Sequence, residues 1–449
     1  MSQEPVFHFT VEGGVRLEGE VDVQSAKNAA VAIIAAALLN RSSTTLSAVP
    51  RIEEVRRLAE VAQSLGAEVA WEDNHFGATM RIVPPARFSL EKINHEAARK
   101  TRSAMLFLPA LLSRSPSVSF PLPGGCRLGD RSLLPHLHML DAFGVKAEIR
   151  ENEGVLAVEA KAIHPADVVL IESGDTVTEH ALMIAALADG VSIIRYASAN
   201  YMVTELAHFL TTLGVRIEGV GTTTLRVEGL GKAPEKEIRH AVGEDPTDAM
   251  FFLAAGLTTG GALTIRGAPL RYLEEEIAFL RLMGADIEVG KEVRLSRNGV
   301  TELADITVRP SELVASPLKI HPRPYPGLNI DNLPFFAVVA TQAQGETLLH
   351  DWVYEKRAIY YTELERLGAA TLLLDPHRII IKGKTPLKPA EIVSPPALRP
   401  ASILLIGMLA APGRSQLRHI YTIKRGYEAL AERLRALGAR ITLETHSAA

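Results

Sequence analysis

LGAEVAW (Leu65–Trp71) is one of six short stretches that decide how this chain folds. The others are FGVKAEI (Phe143–Ile149), LGVRIEG (Leu213–Gly219), MGADIEV (Met283–Val289), LGAATLLL (Leu367–Leu374) and LGARITL (Leu437–Leu443). In each, a helix-like segment runs into a Gly, and the residues after it alternate as a strand does. Gly suits that junction because it enters the left-handed conformation that a Cβ resists and that closes many helices. The glycines stand at 66, 144, 214, 284, 368 and 438, at spacings of 78, 70, 70, 84 and 70. The chain is therefore a repeat of one unit, six times over.

Each Gly turn is preceded by an almost unbroken apolar segment of small residues. These are AAVAIIAAALL from Ala29, SAMLFLPALL from Ser103, HALMIAALADG from His180, AMFFLAAGLTTGG from Ala249, LPFFAVVATQAQG from Leu333 and ASILLIGMLAAPG from Ala401. A helix that is apolar all round is buried all round. The expected unit is one internal helix, strands, and an outer amphipathic helix such as Glu53–Ser64 or Tyr427–Leu437. A linear solenoid is the competing architecture, but its repeats usually run to about 20–45 residues. The reading is α/β: two domains of three units each, with buried parallel helices inside and sheets outside, an inside-out barrel. One domain spans 22–236; the other combines 1–21 with 237–449, the first residues returning as a strand.

Composition excludes several classes. Lys plus Arg number 48 against 52 Asp plus Glu, a net charge of −4, so the basic excess of a general nucleic-acid binder is missing. The longest wholly apolar run, Ala29–Leu39, would make roughly 16 Å of helix, against about 30 Å for a bilayer core. No secretory signal pattern opens the sequence, and one cysteine cannot form an internal disulfide. The expectation is a cytoplasmic protein without membrane or nucleic-acid partners, working as a monomer or weak homo-oligomer.

The lone Cys126 lies in LPGGCRLGDR, flanked by Arg127 and Arg131. Neighbouring cations can lower a thiol's pKa from about 8.5 toward neutrality, which suits an acid or nucleophile; an incidental thiol in a turn is the alternative. In SAKNAA, Lys27 opens the first buried helix, where the dipole disfavours a cation unless an anion binds beside it. An exposed lysine is the plainer alternative. Arg102, Arg357, Arg399 and Arg425 stand at comparable places in other units, and Asp331 heads the fifth buried helix as a functional carboxylate or an N-cap. Cations from several units imply a shared cleft for a multiply charged anion. Phosphate-loop, dinucleotide and metal-ligand patterns are all missing.

Taken in order, SAKNAA, KTRSAM, LPGGCRLGDR, FLTTLGVRI, the Asp331 helix, YEKR and IKRGYE resemble the enolpyruvyltransferase family over nearly the whole chain. Within it they are most similar to the branch that uses UDP-N-acetylglucosamine in the first committed step of peptidoglycan synthesis. The resemblance implies transfer of the enolpyruvyl group from phosphoenolpyruvate to a hydroxyl, with release of phosphate and without metal or organic cofactor. It implies that Cys126 protonates C3 and that Lys27, Arg131 and Arg425 bind phosphoenolpyruvate. Arg102 and Arg357 support them, Asn28 contacts the acceptor, Asp331 faces its reacting hydroxyl, and Arg399 and Val353 complete the substrate-binding set. Five features depart from the family pattern: Ala397 in place of an aspartate two residues before Arg399, Lys356 for Asn, Glu172 for Lys, Leu134 for Asp, and a longer loop before Asp331. These leave open a different hydroxyl acceptor, such as a nucleotide or sugar phosphate, or a non-catalytic regulatory paralogue.

Overall fold

All six turn glycines adopt positive φ, between 78° and 105°, in the computed structural model, which describes residues 6–73, 77–124 and 132–446. Each therefore breaks its helix where the repeat places it. Six sheets follow, one per unit. In the first unit Ala78–Val83 lies antiparallel between Thr44–Val49 and Glu68–Asp73. The same three-strand pattern recurs in the next four. In the sixth the central place is taken by Val6–Gly13, antiparallel to both Gly413–Arg418 and Arg440–His446. The N-terminal segment thus supplies the central strand of the sixth unit, returning as a strand as expected.

The buried helices are α1 (Lys27–Ala37), α3 (Asp175–Leu187), α5 (Pro246–Thr259), α6 (Leu333–Ala340) and α7 (Leu398–Ala410), with α2 (Glu53–Ser64) and α4 (Tyr201–Thr212) alongside. Ala29–Ala37 of α1 and every residue of α6 are buried, which fits their lack of a polar face. The second unit differs from a single continuous helix. Arg102–Phe107 is a 3₁₀ segment and an α-turn begins at Leu108. Pro109 explains this: inside a continuous α-helix its ring would meet the carbonyl of Met105, whereas near a helix start its missing N–H costs little.

Side chains gather into two hydrophobic cores. One joins α1, the Arg102–Leu112 segment, α3 and α4; the other joins α5, α6 and α7, which touch one another pairwise. Strand Ile238–Ala241 lies parallel to Thr44–Val49 in the first core's sheet, and Glu18–Asp22 lies parallel to Ala262–Ala268 in the second's. The chain thus crosses between cores at 23–25 and again at 242–245. The crossings hold each other: Ala26 N–H donates to the Gly243 carbonyl at 2.8 Å and Asp245 N–H to that of Gln24 at 2.8 Å. Among the described residues no sheet closes into a barrel, and no helix is long and apolar enough to cross a membrane.

Candidate active site

Where the two cores face each other, α1, α2, α6 and α7 converge and bring charged groups from distant parts of the sequence together. Lys27, in the first turn of α1, has no acidic neighbour in that turn; its backbone N–H donates to Asp245 Oδ2 at 3.3 Å. Burial pulls the Lys27 ammonium below its ordinary pKa, Glu54 and Asp331 push it up, and Arg425 and Arg399 push it down. An anion entering here would meet three cations that already crowd one another. That arrangement attracts negative charge, because filling it relieves repulsion as well as forming contacts.

Asp331 Oδ2 accepts from Asn28 Nδ2 at 3.3 Å and from Arg399 Nη2 at 3.2 Å. Burial opposes its charge, but Arg399, Arg357 and Lys27 prevail and hold the carboxyl below the usual range, so it is ionised. The α6 N-cap is Asn332, without a side-chain cap bond, so Asp331 is not serving as the cap. The Arg399 guanidinium also donates to the Tyr427 hydroxyl at 2.9 Å. Burial raises that phenol to about 12, so it stays protonated and neutral.

Arg425, just after the short turn Tyr421–Lys424, reaches across to α2. Its Nε and Nη2 donate to Glu54 Oε2 at 2.9 and 2.5 Å. A second crossing runs from Arg51, whose backbone N–H and Nε donate to Glu428 at 2.9 and 2.8 Å. Glu54 is buried and is also contacted by the Thr101 hydroxyl. Lys27 and Arg425 outweigh the cost of burial and keep its carboxyl below the usual range.

The structure therefore gathers Lys27, Asn28, Asp331, Arg399 and Arg425. It places Arg357 one layer behind. That side chain is fully buried, donating from Nε to Asp351 Oδ2 at 2.5 Å and from Nη2 to the Ile330 carbonyl at 2.8 Å. It thereby fixes the backbone just before Asp331. Arg102 donates to the Ser132 carbonyl at 3.1 Å, and Val353 is an exposed loop residue. Cys126 and Arg131 lie outside the described residues.

Sequence reading missed Glu54, Tyr427, Asp245 and Thr101. For Glu54 a signal existed: it shares the 54, 58, 61, 65 stripe with Leu58, Val61 and Leu65, the apolar face of its helix. A carboxylate on such a stripe needs a buried partner.

The sequence profile of the family described as EPSP synthase (3-phosphoshikimate 1-carboxyvinyltransferase) matches residues 11–434. The chain belongs to this family. Among its curated relatives, the UDP-N-acetylglucosamine 1-carboxyvinyltransferase of Treponema pallidum is 33% identical over 437 residues, covering 97% of this chain and 99% of that one. The protein of the same name from Koribacter versatilis is 31% identical over 438 residues, covering 96% and 95%. In fold, the chain resembles the enolpyruvyl transferase NikO from Streptomyces tendae, with a TM-score of 0.85 at 23% identity over 99% and 100% of the two chains. An EPSP synthase from Acinetobacter baumannii aligns with a TM-score of 0.71 at 18% identity, over 98% and 100%. Family membership and the enolpyruvyltransferase fold thus agree with the motif reading.

Proposed function

We propose that this member of the family transfers the enolpyruvyl group of phosphoenolpyruvate to a hydroxyl of UDP-N-acetylglucosamine and releases phosphate, the first committed step of peptidoglycan synthesis. The observation that carries the reading is the meeting of Lys27, Arg399 and Arg425 with Asn28 and Asp331 between the two cores. The donor's phosphate and carboxylate call for such cations, and an ionised carboxylate beside them suits a hydroxyl that must lose a proton. The names borne by the curated relatives support the acceptor.

In this reading the acceptor oxygen bonds to C2 while C3 takes a proton, in the role assigned to Cys126. Loss of a C3 proton then expels phosphate and restores the double bond. Lys27, Arg131 and Arg425 hold the phosphoenolpyruvate anion, Asp331 takes the hydroxyl proton, and Asn28 and Val353 touch the acceptor. Arg102, Arg357 and Arg399 support these groups. The two cores act as lobes, joined where the chain crosses at 23–25 and 242–245. Closing them excludes water and strengthens each ionic contact. The protein works in the cytoplasm on small molecules, as a monomer or weak homo-oligomer.

Phosphate release from phosphoenolpyruvate, measured against a panel of hydroxyl acceptors, tests the proposal. Release that depends on UDP-N-acetylglucosamine and falls in Cys126→Ser and Asp331→Ala is the expected result. Release with a different acceptor only would overturn the choice of acceptor; none with any acceptor would overturn the activity.

A further inference from the structure

The turn Ser296–Val300 lies in the second core's sheet, between strands Arg294–Leu295 and Glu302–Arg309, yet its side chains reach the other core. Asn298 Nδ2 donates to Oε1 of Glu205 on α4, and the same oxygen accepts the Gly243 N–H at 2.6 Å. Arg297, one residue earlier, donates from Nη1 to Ser25 Oγ at 3.0 Å and from Nη2 to the Val23 carbonyl at 3.3 Å. Its Nε stands 3.4 Å from Glu244 Oε1. One turn thus grips both segments where the chain passes between the cores.

The orientation of the Asn298 amide is set within the turn. Its Oδ1 accepts the Val300 N–H at 3.0 Å and the Ser296 hydroxyl, and Ser296 Oγ in turn accepts the Thr301 N–H at 2.9 Å. Gly299, with a φ of 74°, closes the turn. The amide's two N–H donors are therefore left to face Glu205. Gly243 leaves room for this contact, because a Cβ there would lie 2.7 Å from Glu205 Oε1 and 2.9 Å from Asn298 Nδ2. The Gly243 carbonyl accepts the N–H of Ala26, the residue before Lys27. A line of hydrogen-bonded groups runs from Asn298 through Glu205 and Gly243 to the start of α1.

We propose that Asn298 is a positioning residue that pins the pivot between the two cores, so that the lobes meet in the register that brings Lys27 to Asp331 and Arg399. This rests on the reading above. The contact sits where the chain crosses between lobes and not among the cleft cations, so it acts on the fraction of molecules in the competent arrangement. Losing it weakens the apparent affinity of every ligand that needs both lobes, while the chemistry of the assembled site is kept.

The test compares full-length wild type, Asn298→Ser, Gly243→Ala and Glu205→Gln in steady-state phosphate release, with small-angle X-ray scattering of each chain free of ligand. Serine keeps an acceptor for the turn but is too short to reach Glu205. Alanine at 243 forces the Glu205 and Asn298 side chains apart, and glutamine at 205 keeps the accepting oxygen. Asn298→Ser and Gly243→Ala should raise KM for both phosphoenolpyruvate and the acceptor by about 5–10-fold, the scale of one hydrogen bond set on a two-state equilibrium. Their kcat should stay within about twofold of wild type, and the free chains should show a larger radius of gyration. Glu205→Gln should match wild type in all three. A fall in kcat at unchanged KM in Asn298→Ser would reduce the contact to a structural one and overturn the proposal, as would wild-type KM values. If wild type turns over no acceptor, the functional reading fails separately and scattering decides alone: a larger Asn298→Ser chain supports the pivot, and an unchanged curve overturns it.

Discussion

Arg425 and Arg357 are both guanidinium groups bonded to a carboxylate away from solvent, and setting them side by side separates a site from its scaffold. Arg357 and Asp351 have no exposed side-chain surface; both partners lie in one lobe, and the pair is joined by the Tyr361 hydroxyl and the Ile330 carbonyl. Arg425 keeps 15% of its side chain exposed and bonds to a carboxylate of the other lobe. The first pair is enclosed within one lobe, while the second joins the two lobes. Recurrence of arginine at similar places in the repeat does not by itself say which will face a substrate.

Four variants test this contrast. The largest effect is expected from Arg357→Ala, which strands Asp351 with only the Tyr361 hydroxyl for company. Removing one partner of a buried pair costs about 3–5 kcal/mol, and urea unfolding should show it. A loss below about 1 kcal/mol would mean that the pair is not the anchor described.

Next comes Arg425→Ala. Glu54 would retain Lys27 and Thr101, so unfolding should change less than for Arg357→Ala. Phosphate release should instead drop about 100–1,000-fold, the usual cost of losing one donor to a developing negative charge. Equal damage to stability in the two variants would erase the distinction between them.

Tyr427→Phe removes one hydrogen bond from Arg399 and leaves its bond to Asp331. A loss of about 1 kcal/mol, or roughly fivefold in kcat/KM, is expected.

The fourth variant concerns a buried acid whose surroundings bring it no arginine. Glu205 accepts from the Gly243 N–H at 2.6 Å and from Asn298 at the crossing between cores. Burial raises its carboxyl to about 8, the Gly243 contact working the other way. A raised folded-state pKa means that the stability it contributes is complete below about 4.5, its unfolded value, and fades as pH climbs through about 8. Glu205→Gln should therefore melt close to wild type at pH 5 and above it at pH 8.5; a parallel pair of curves would refute the assignment.

Much of the fold could be read in advance because its causes are local. Gly66 and its five counterparts need a conformation that only Gly adopts cheaply, and segments such as Ala29–Leu39 have no polar face to show to water. The break at Pro109 was equally local, yet the apolar run concealed it. The site was legible in part. Lys27, Asn28, Asp331, Arg399 and Arg425 could be named from motifs, because their chemistry sits in short distinctive strings. Glu54 was passed over, since EEVRR looks like any solvated helix start until its place on the 54, 58, 61, 65 stripe is noticed. The depth of Arg357 was hidden for the opposite reason: only the tertiary arrangement reveals that Asp351 and Tyr361 enclose it. The cysteine loop, with Cys126 and Arg131, is still known through its sequence alone.

The proposed activity stands or falls on where phosphoenolpyruvate binds. A crystal structure of the chain with phosphoenolpyruvate and UDP-N-acetylglucosamine should place the donor's phosphate and carboxylate within hydrogen-bond distance of Lys27 and Arg425, with the sugar hydroxyl beside Asp331. Anion density elsewhere on the molecule, with no donor beside Lys27 or Arg425, would contradict it.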